Sequence, residues 1–290
     1  MTAENITHTT CEIAFELKNG RLLANNQDVA YILPSDAIEV ARLQLNHNLW
    51  KNLVGGLYKS DMHDKLTQGA RVLDIGCGPG WWTLDMARLY PNSEFIGIDM
   101  ADVFYTQDKP ANASFKIMNA GTGMDFEDAS FDFVFQRFLV MGFPTEQYLL
   151  SIKEMKRILK PEGSIELLEL VNHYNNAGPA FKNISDWINQ ALEARHMDSF
   201  IADKISTYLL DADYVNIQDI TYNVPIGSWG GEPGEMFLAV QKMALPAVKV
   251  MVTELTEVTS EEYDKNLELA FKEADERQIS TRFRLIYATK

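Results

Sequence analysis

The stretch Arg71-Val-Leu-Asp-Ile-Gly-Cys-Gly-Pro-Gly-Trp81 decides the fold. The apolar pair Val72-Leu73 is typical of the end of a buried strand, and glycines follow at the alternate positions 76, 78 and 80. A helical pattern runs from Thr83 to Leu89. A strand, a glycine-rich turn and a helix in this order predict the start of a nucleotide-binding α/β unit.

A carboxylate follows the second predicted strand, which spans residues 94–98. Asp99 stands about 20 residues after the glycine turn, where an acid can accept hydrogen bonds from both hydroxyls of a ribose. The neighbouring Met100 is predicted to lie in the same site. Strand, turn and acid together are more specific than the three glycines alone.

The glycine spacing separates two kinds of ligand. A dinucleotide site has its third glycine at the last position of Gly-x-Gly-x-x-Gly, but this position is Trp81, and Gly80 comes one residue early. A pyrophosphate that approached the helix would therefore meet an indole. Asp74 adds a second acid beside the loop, which favours a cationic ligand over a phosphate. A nicotinamide-dependent oxidoreductase and a loop without any ligand are the alternatives.

Composition limits the partners. The chain has 290 residues, enough for one large domain or for one domain with a small cap. Its net charge of −15 argues against a nucleic acid partner, because phosphate contacts need basic surface. Two cysteines, Cys11 and Cys77, predict no disulfide and a reducing compartment. We expect a cytoplasmic protein, with the nucleus as the alternative, and neither a signal peptide nor a membrane span.

The first 50 residues are predicted to form a hairpin and a covering helix. The hairpin spans residues 12–24 around a type I′ turn at Asn19-Gly20, and Ser35 or Asp36 caps a helix that runs to His47. Arg42 on this helix has two interpretations. It forms a surface ion pair with Glu39, or it clamps a ligand carboxylate with Tyr31 beside it. His47 then braces the helix or faces the acceptor.

Residues 51–290 are predicted to form the main domain, with five further strands at 114–118, 131–135, 164–170, 214–224 and 283–289. Ligands in such sheets bind at the carboxyl ends of the strands. Asp99, Asn119, Gln136 and Glu169 should therefore ring one crevice. Helices at 179–196 and 201–210, within a cap of about 176–212, should cover it. We expect Trp229 to anchor a lid, Pro246 to interrupt a helix over 235–255, and Thr259 to begin another helix with a capping box.

The run Leu73-Asp-Ile-Gly-Cys-Gly-Pro-Gly80, followed by a strand that ends in Asp99, resembles class I S-adenosylmethionine-dependent methyltransferases. Three flanking segments resemble the fungal LaeA-type members of that class: Leu33-Pro-Ser-Asp36 with Glu39, Arg42 and His47, the run 126–139, and Val224-Pro-Ile-Gly-Ser-Trp-Gly-Gly231. Two departures are Asn119, where an acid is commoner, and Met124-Asp125, where Leu-Pro is usual.

The resemblance implies an α/β, Rossmann-like sheet of seven strands in the order 3-2-1-4-5-7-6, the last strand antiparallel. It implies S-adenosylmethionine as cofactor, with S-adenosylhomocysteine as product. The acceptor is expected to be an oxygen or nitrogen of a small molecule, in secondary metabolism. The alternative is a LaeA-like regulator that acts through a protein partner.

The predicted site follows from these patterns and the resemblance. Asn119 and Ala120 are expected to frame adenine, and Trp82, Phe138 or Trp229 to form an aromatic wall beside the sulfonium. Candidate general bases are His47, His173 and Glu169. No metal site is expected. The predicted cofactor-binding residues are Tyr31, Arg42, Asp74, Gly76, Cys77, Gly78, Gly80, Asp99, Met100, Asn119, Ala120 and Gln136.

Overall fold

A short hairpin precedes the main sheet. The structure is a computed structural model that describes residues 15–18, 21–24 and 37–290. Strands β1 (Phe15–Lys18) and β2 (Arg21–Ala24) pair antiparallel, with Lys18 opposite Arg21. This pairing confirms the predicted hairpin, while its turn residues, the cap residues Ser35 and Asp36, and Tyr31 lie outside the described residues.

A seven-stranded sheet forms the centre of the fold. Its strands are β3 (Arg71–Ile75), β4 (Glu94–Asp99), β5 (Ala113–Ile117), β6 (Phe131–Arg137), β7 (Leu159–Asn175), β8 (Val215–Pro225) and β9 (Ser280–Thr289). They lie in the order β5-β4-β3-β6-β7-β9-β8, and β9 is antiparallel to both of its neighbours. Numbered within the sheet, this is the predicted order 3-2-1-4-5-7-6, which the structure confirms.

The described helices flank the sheet and cross its carboxyl edge. They are α1 (Ala37–Val54), α2 (His63–Gln68), α3 (Trp81–Leu89), α4 (Thr145–Ile158), α5 (Pro179–Ala194), α6 (Ile205–Asp211), α7 (Gly231–Leu255) and α8 (Ser260–Glu276). Short 3-10 turns lie at Ala120–Thr122, Ile201–Asp203 and Ser228–Gly230. Since α1 continues to Val54, it crosses the domain boundary predicted at residue 50.

The core has three parts, which follow from the burial of the central strands on both faces. One face of the sheet packs on α2 and α3 through residues such as Val72 and Trp82. The other face packs on α4 and α6 through residues such as Leu73 and Ile152. A third apolar cluster joins α1, α5, α7 and α8 to the ends of β7 and β9.

Helix α7 differs from its prediction. It runs unbroken through Pro246, so the predicted interruption is wrong. Pro246 is exposed, while its neighbours Leu245, Ala247 and Val248 are buried, so packing on both sides maintains the helix despite the one hydrogen bond that proline cannot make. Among the described helices, α7 with its preceding turn (228–255) is long and apolar enough to cross a membrane. Its buried residues belong to the third cluster, which is the arrangement of a core helix.

Candidate functional site

The glycine loop connects β3 to α3 and lies against two other elements. Gly76 has a φ of +64°, and a Cβ built on it would lie 2.6 Å from Cδ2 of Leu139. A Cβ on Gly80, whose φ is +88°, would overlap the ring of Phe115. Both positions therefore need glycine for their backbone conformation and for close approach of a neighbour.

Asp99 at the end of β4 fixes this loop. Its Oδ2 accepts a 2.8 Å hydrogen bond from the backbone N–H of Gly78, and its Oδ1 accepts a 3.0 Å bond from that of Ala101. Burial raises the pKa of Asp99, although these backbone donors oppose the shift. The Asp99 carboxylate thus lies at the crevice wall, where a backbone N–H of the glycine loop holds it, as the sequence predicted.

One large crevice opens at the carboxyl ends of β3 to β6, between α1 and α7. Its volume is about 1570 Å³ when its open mouth is included. The predicted cofactor residues that line it are Arg42, Gly76, Cys77, Gly78, Asp99, Met100, Asn119 and Ala120. The structure therefore brings most of the predicted set together. Gly80 shapes the loop from outside the wall, and Tyr31 lies outside the described residues.

Asp74 does not face the crevice, which corrects the expectation of a second acid beside the ligand. It is 3% exposed, and its Oδ2 accepts a 2.6 Å hydrogen bond from Oγ1 of Thr83 on α3. Burial raises the pKa of Asp74 to about 7, while Thr83 and the charge of Arg137 oppose the shift. Its role is to join the strand to the following helix.

Gln136 and Glu169 are also absent from the described crevice wall, so the predicted ring of four strand-end residues is only half formed. Strand β6 continues to Arg137, two residues past its predicted end, so Gln136 is fully buried within the strand. Glu169 is fully buried as well. Its Oε1 accepts hydrogen bonds from Leu139 N–H, Tyr148 Oη and Gln136 Nε2, and its Oε2 accepts one from Val140 N–H. Burial raises the pKa of Glu169 to about 7.

The two histidines proposed as bases lie elsewhere too. His47 is 4% exposed, with Nε2 3.3 Å from Oδ2 of Asp85 and Nδ1 3.0 Å from Nη2 of Arg137. Burial lowers the pKa of His47, which keeps Nδ1 an acceptor for Arg137. The geometry matches the bracing role, since it joins α1 to α3 and β6. His173 is exposed on β7. None of the three candidate bases therefore lines the described part of the crevice.

Arg42 pairs with Glu39 and also lies at the crevice wall, so the structure shows one part of each predicted interpretation. Its Nη2 and Nε lie 2.6 Å and 2.8 Å from the two carboxylate oxygens of Glu39, in the bidentate geometry of a strong ion pair. The pair is buried, with Glu39 2% and Arg42 7% exposed, so it is not the surface pair that was expected. Arg42 also lines the crevice, as a carboxylate clamp requires.

Of the three predicted aromatic walls, Phe138 alone lines the crevice. Trp82 stacks on Phe135 at 3.9 Å between ring centroids, and its Nε1 donates to Leu57 O, so it serves packing. Trp229 is 39% exposed and donates from Nε1 to Ile226 O within its own loop. It therefore forms no lid over the crevice.

Trp81 was missed as a site residue. It lines the crevice with a buried Nε1 that has no hydrogen-bond partner.

Helices α1 and α7 cover the crevice, where the sequence suggested residues 176–212. From that segment Ile188 reaches the wall, whereas α6 packs against α4 and β8. The α7 side of the wall is formed by Phe237, Val240, Gln241, Ala244, Leu245 and Val248. No short motif marks these residues, and the sequence predicted only that they belong to a helix over 235–255. Within the described residues, no group of three or more His, Cys, Asp or Glu side chains could hold a metal ion.

Comparison with known proteins agrees with this geometry. Residues 72–163, from β3 to the start of β7, match the methyltransferase domain family. Residues 72–163 therefore carry a methyltransferase domain. The match covers the glycine loop, Asp99 and Asn119, whereas α1 and α7, which cover the crevice of the methyltransferase domain, lie outside it.

Curated relatives point in more than one direction. The secondary metabolism regulator laeA of Coprinopsis cinerea is 32% identical over 158 residues, which are 53% of this chain and 39% of that protein. The N-methyltransferase verN of Clonostachys rogersoniana is 28% identical over 78% of this chain and 76% of its own length. The demethylmenaquinone methyltransferase of Staphylococcus aureus is 34% identical over 42% of this chain and 50% of its own length. The chain thus spans half or less of two of these relatives.

Solved structures show the same fold as the methyltransferase domain. A phosphoethanolamine N-methyltransferase from Haemonchus contortus, solved with phosphomonomethylethanolamine and S-adenosylhomocysteine, has a TM-score of 0.52 at 16% identity and covers 87% of this chain and 58% of its own. The YcgJ protein of Bacillus subtilis has a TM-score of 0.50 at 21% identity, covering 84% of this chain and 98% of its own. At these identities the likeness concerns the fold alone.

Proposed function

We propose that this protein transfers the methyl group of S-adenosylmethionine to an oxygen or nitrogen of a small molecule of secondary metabolism, acting in the cytoplasm. The observation that carries the proposal is one continuous crevice, with the glycine loop and Asp99 at one end and the apolar side chains of α7 at the other. Because the wall is continuous, a cofactor at the glycine loop and an acceptor at α7 would lie side by side.

The residues at the glycine-loop end suit the cofactor. The loop admits close approach of a ligand because Gly76 and Gly78 carry no side chain. The Asp99 carboxylate can accept from ribose hydroxyls, and the amide of Asn119, whose Oδ1 already accepts from Gly121 N–H at 2.9 Å, can donate to adenine. The buried Nε1 of Trp81 still needs an acceptor, and Arg42 offers a cation for the amino-acid carboxylate. When bound, the cofactor supplies a methyl group on a positively charged sulfur.

The chain's own contribution is binding and orientation. The described crevice wall contains one carboxylate, Asp99, and neither histidine nor glutamate. Under this proposal the acceptor brings its own nucleophile, such as a neutral amine or an acidic hydroxyl. The protein accelerates transfer by holding that atom in line with the methyl group and by excluding water. The name of verN, an N-methyltransferase aligned over most of its length, supports an amine or amide acceptor.

The first experiment is calorimetric titration with S-adenosylhomocysteine. The parent should bind, and Asp99→Asn should bind about tenfold or more weakly, because an amide cannot keep both backbone contacts and still accept from both ribose hydroxyls. Asp102→Asn, a matched change at an exposed position nearby, should bind like the parent. A parent protein without measurable affinity would refute the cofactor proposal. Equal affinity of Asp99→Asn and the parent would remove Asp99 from the site.

A regulatory protein that keeps the fold is the second candidate, and the name of the Coprinopsis relative supports it. The two candidates differ in turnover. An enzyme should transfer label from methyl-labelled S-adenosylmethionine to a compound in an extract of small metabolites. A regulator should bind the cofactor, leave every metabolite unlabelled, and retain a protein partner on an affinity column.

A further inference from the structure

The part of the crevice that is lined by α7 and by the start of β9, here called the compartment, differs in chemistry from the glycine-loop end. Its walls come from α7, through Phe237, Val240 and Leu245, and from the start of β9, through Phe283. Phe237 and Phe283 lie 5.5 Å apart between ring centroids, nearly perpendicular to each other. These side chains belong to the apolar cluster that joins α5, α7 and α8 to the sheet. The compartment is therefore apolar and partly aromatic.

The charged groups of the described crevice wall are Arg42, Asp99 and Arg137, and all three lie toward the glycine loop. Asp99 accepts a hydrogen bond from Gly78 N–H, while Arg137 is hydrogen-bonded to His47 on α1. Arg42 lies on the same helix, one residue before Leu43, whose Cδ1 is 3.5 Å from the position of a Cβ on Gly78. By contrast, the α7 wall offers no charged side chain among the described residues. An ionic group placed there would lose its water without gaining a partner.

The uncharged polar side chains of the described crevice wall are Asn46, Asn119, Asn172, Tyr174 and Gln241, and the last two form a pair. Gln241 is 5% exposed, and its Nε2 lies 3.5 Å from Oη of Tyr174, at the outer limit of a hydrogen bond. Burial raises the pKa of Tyr174 to about 12, so its hydroxyl stays neutral at physiological pH. A weak bond between two neutral groups at a cavity wall can be exchanged for a better bond to a ligand. The pair therefore provides a hydrogen-bonding point for one neutral polar group.

We propose that this compartment is the acceptor site and that it selects an uncharged, predominantly apolar, ring-containing molecule, whose single polar group is oriented by Gln241 and Tyr174. The proposal rests on the proposed function, because it assigns the remaining part of the same crevice. Phosphorylated, carboxylated and cationic acceptors are disfavoured, since the compartment offers no counter-charge. Shape and apolar contact supply affinity, while the polar pair sets which atom of the acceptor points toward the glycine loop.

The test uses the full chain saturated with S-adenosylhomocysteine and the uncharged fluorescent dye Nile red as probe. Nile red should bind with enhanced emission, and 2-naphthol should displace it at about tenfold lower concentration than 2-naphthoate or 2-naphthylmethylammonium. Equal displacement by the charged compounds would overturn the selection for neutral molecules. Loss of Nile red binding on addition of S-adenosylhomocysteine would overturn the assignment of a separate compartment.

Matched variants on one helix locate the site. Ala244→Trp fills the compartment and should weaken Nile red binding at least about tenfold. Ala239→Trp makes the same change on α7 outside the crevice wall and should leave binding unchanged. Equal weakening in both, or in neither, would overturn the proposal. Thermal unfolding of both variants shows whether each is folded, and Leu245→Trp provides a second filling variant if Ala244→Trp is not.

The polar pair is tested separately. Gln241→Leu should weaken the binding of 2-naphthol about tenfold and leave that of 2-methylnaphthalene unchanged, because only 2-naphthol has a hydroxyl group that can form a hydrogen bond. Equal effects on both ligands would refute the orienting role. Affinity for S-adenosylhomocysteine should be the same in the parent, Ala244→Trp and Gln241→Leu. A parent that binds Nile red in the compartment but not S-adenosylhomocysteine would refute the cofactor proposal while leaving the apolar site in place.

Discussion

The carboxylate of Glu169 accepts a 3.1 Å hydrogen bond from the backbone N–H of Leu139. The same carboxylate accepts another from Val140, and Leu139 packs directly against Gly76 of the glycine loop. A fully buried acid on β7 thus holds Leu139 and Val140, which form the crevice wall beside the glycine loop. The residue proposed from sequence as a base is, in the structure, a support for the crevice wall.

Replacement of Glu169 by Gln should destabilise the protein. The carboxamide has one acceptor oxygen where the carboxylate has two, so its NH2 group must face Val140 N–H or the donors around Oε1. An unsatisfied buried donor costs about 1–3 kcal/mol of unfolding free energy. Urea unfolding should show this loss, and affinity for S-adenosylhomocysteine should fall as the wall shifts. Glu146→Gln, an exposed change in the same region, is the control. Identical unfolding of the two variants would contradict the supporting role.

Gly76→Ala and Gly55→Ala separate backbone strain from crowding. The two glycines have nearly the same φ, +64° and +71°, but a Cβ on Gly55 would have nothing within 4 Å. Both variants should lose about 1–2 kcal/mol from the left-handed backbone. Only Gly76→Ala should also displace Leu139 and so weaken the binding of S-adenosylhomocysteine, which calorimetry measures. If both variants bind the ligand like the parent, close packing at Gly76 is not needed for binding.

Arg42→Ala should weaken the binding of S-adenosylhomocysteine about tenfold or more, since it removes the planar cation proposed to bind the amino-acid carboxylate. It should leave 5′-methylthioadenosine unaffected, because that ligand has the adenosine but lacks the carboxylate. Calorimetry with both ligands therefore distinguishes a clamp from general damage to α1. Arg88→Ala, at a solvent-exposed ion pair with Asp85, is the matched control. Equal weakening of both ligands would mean that Arg42 acts only through its pair with Glu39.

The brace at His47 should make stability depend on pH. Burial lowers the pKa of His47 in the folded protein, while in the unfolded chain it is near 6.5. Below that value the unfolded state binds more protons than the folded state, so the free energy of unfolding falls as pH falls. The slope is at most about 1.4 kcal/mol per pH unit for one proton. His47→Gln removes the titrating group, so between about pH 7 and pH 5 the parent's free energy of unfolding should fall relative to that of the variant.

Urea unfolding at several pH values in that range measures the slope of each variant. His173→Gln should keep the parental slope, because His173 is exposed and has no part in the brace. A parental slope in His47→Gln would show that the decline arises from other groups, but not from the buried carboxyls Asp74 and Glu169. Burial raises their pKa values, so their contribution to stability runs in the opposite direction and is lost as pH rises through about 7.

Several elements were predictable because their signals are local. The glycine loop and the acid after the second strand follow from motif spacing, whereas the order of the strands was implied by the resemblance to class I methyltransferases. The helix cap at Thr259 was also predictable, since its Oγ1 accepts from the N–H of Glu262 three residues later. Each of these depends on residues that are close in sequence and on backbone conformations that few residue types allow.

The amino-acid sequence by itself determined the sheet, the glycine loop and the place of Asp99 and Asn119 at the crevice. Only the tertiary structure decided which strand-end side chains face it, because strand length depends on pairing with neighbours, and side chains alternate between the two faces. For this reason the side chains of Gln136 and Asp74 are buried in the interior and do not line the crevice. The position of α7 over the crevice was also decided only by the tertiary structure, because Val240 and Gln241 are far from the glycine loop along the chain. An apolar stripe on a helix predicts burial, but it does not show whether the stripe packs against the protein core or lines a ligand site.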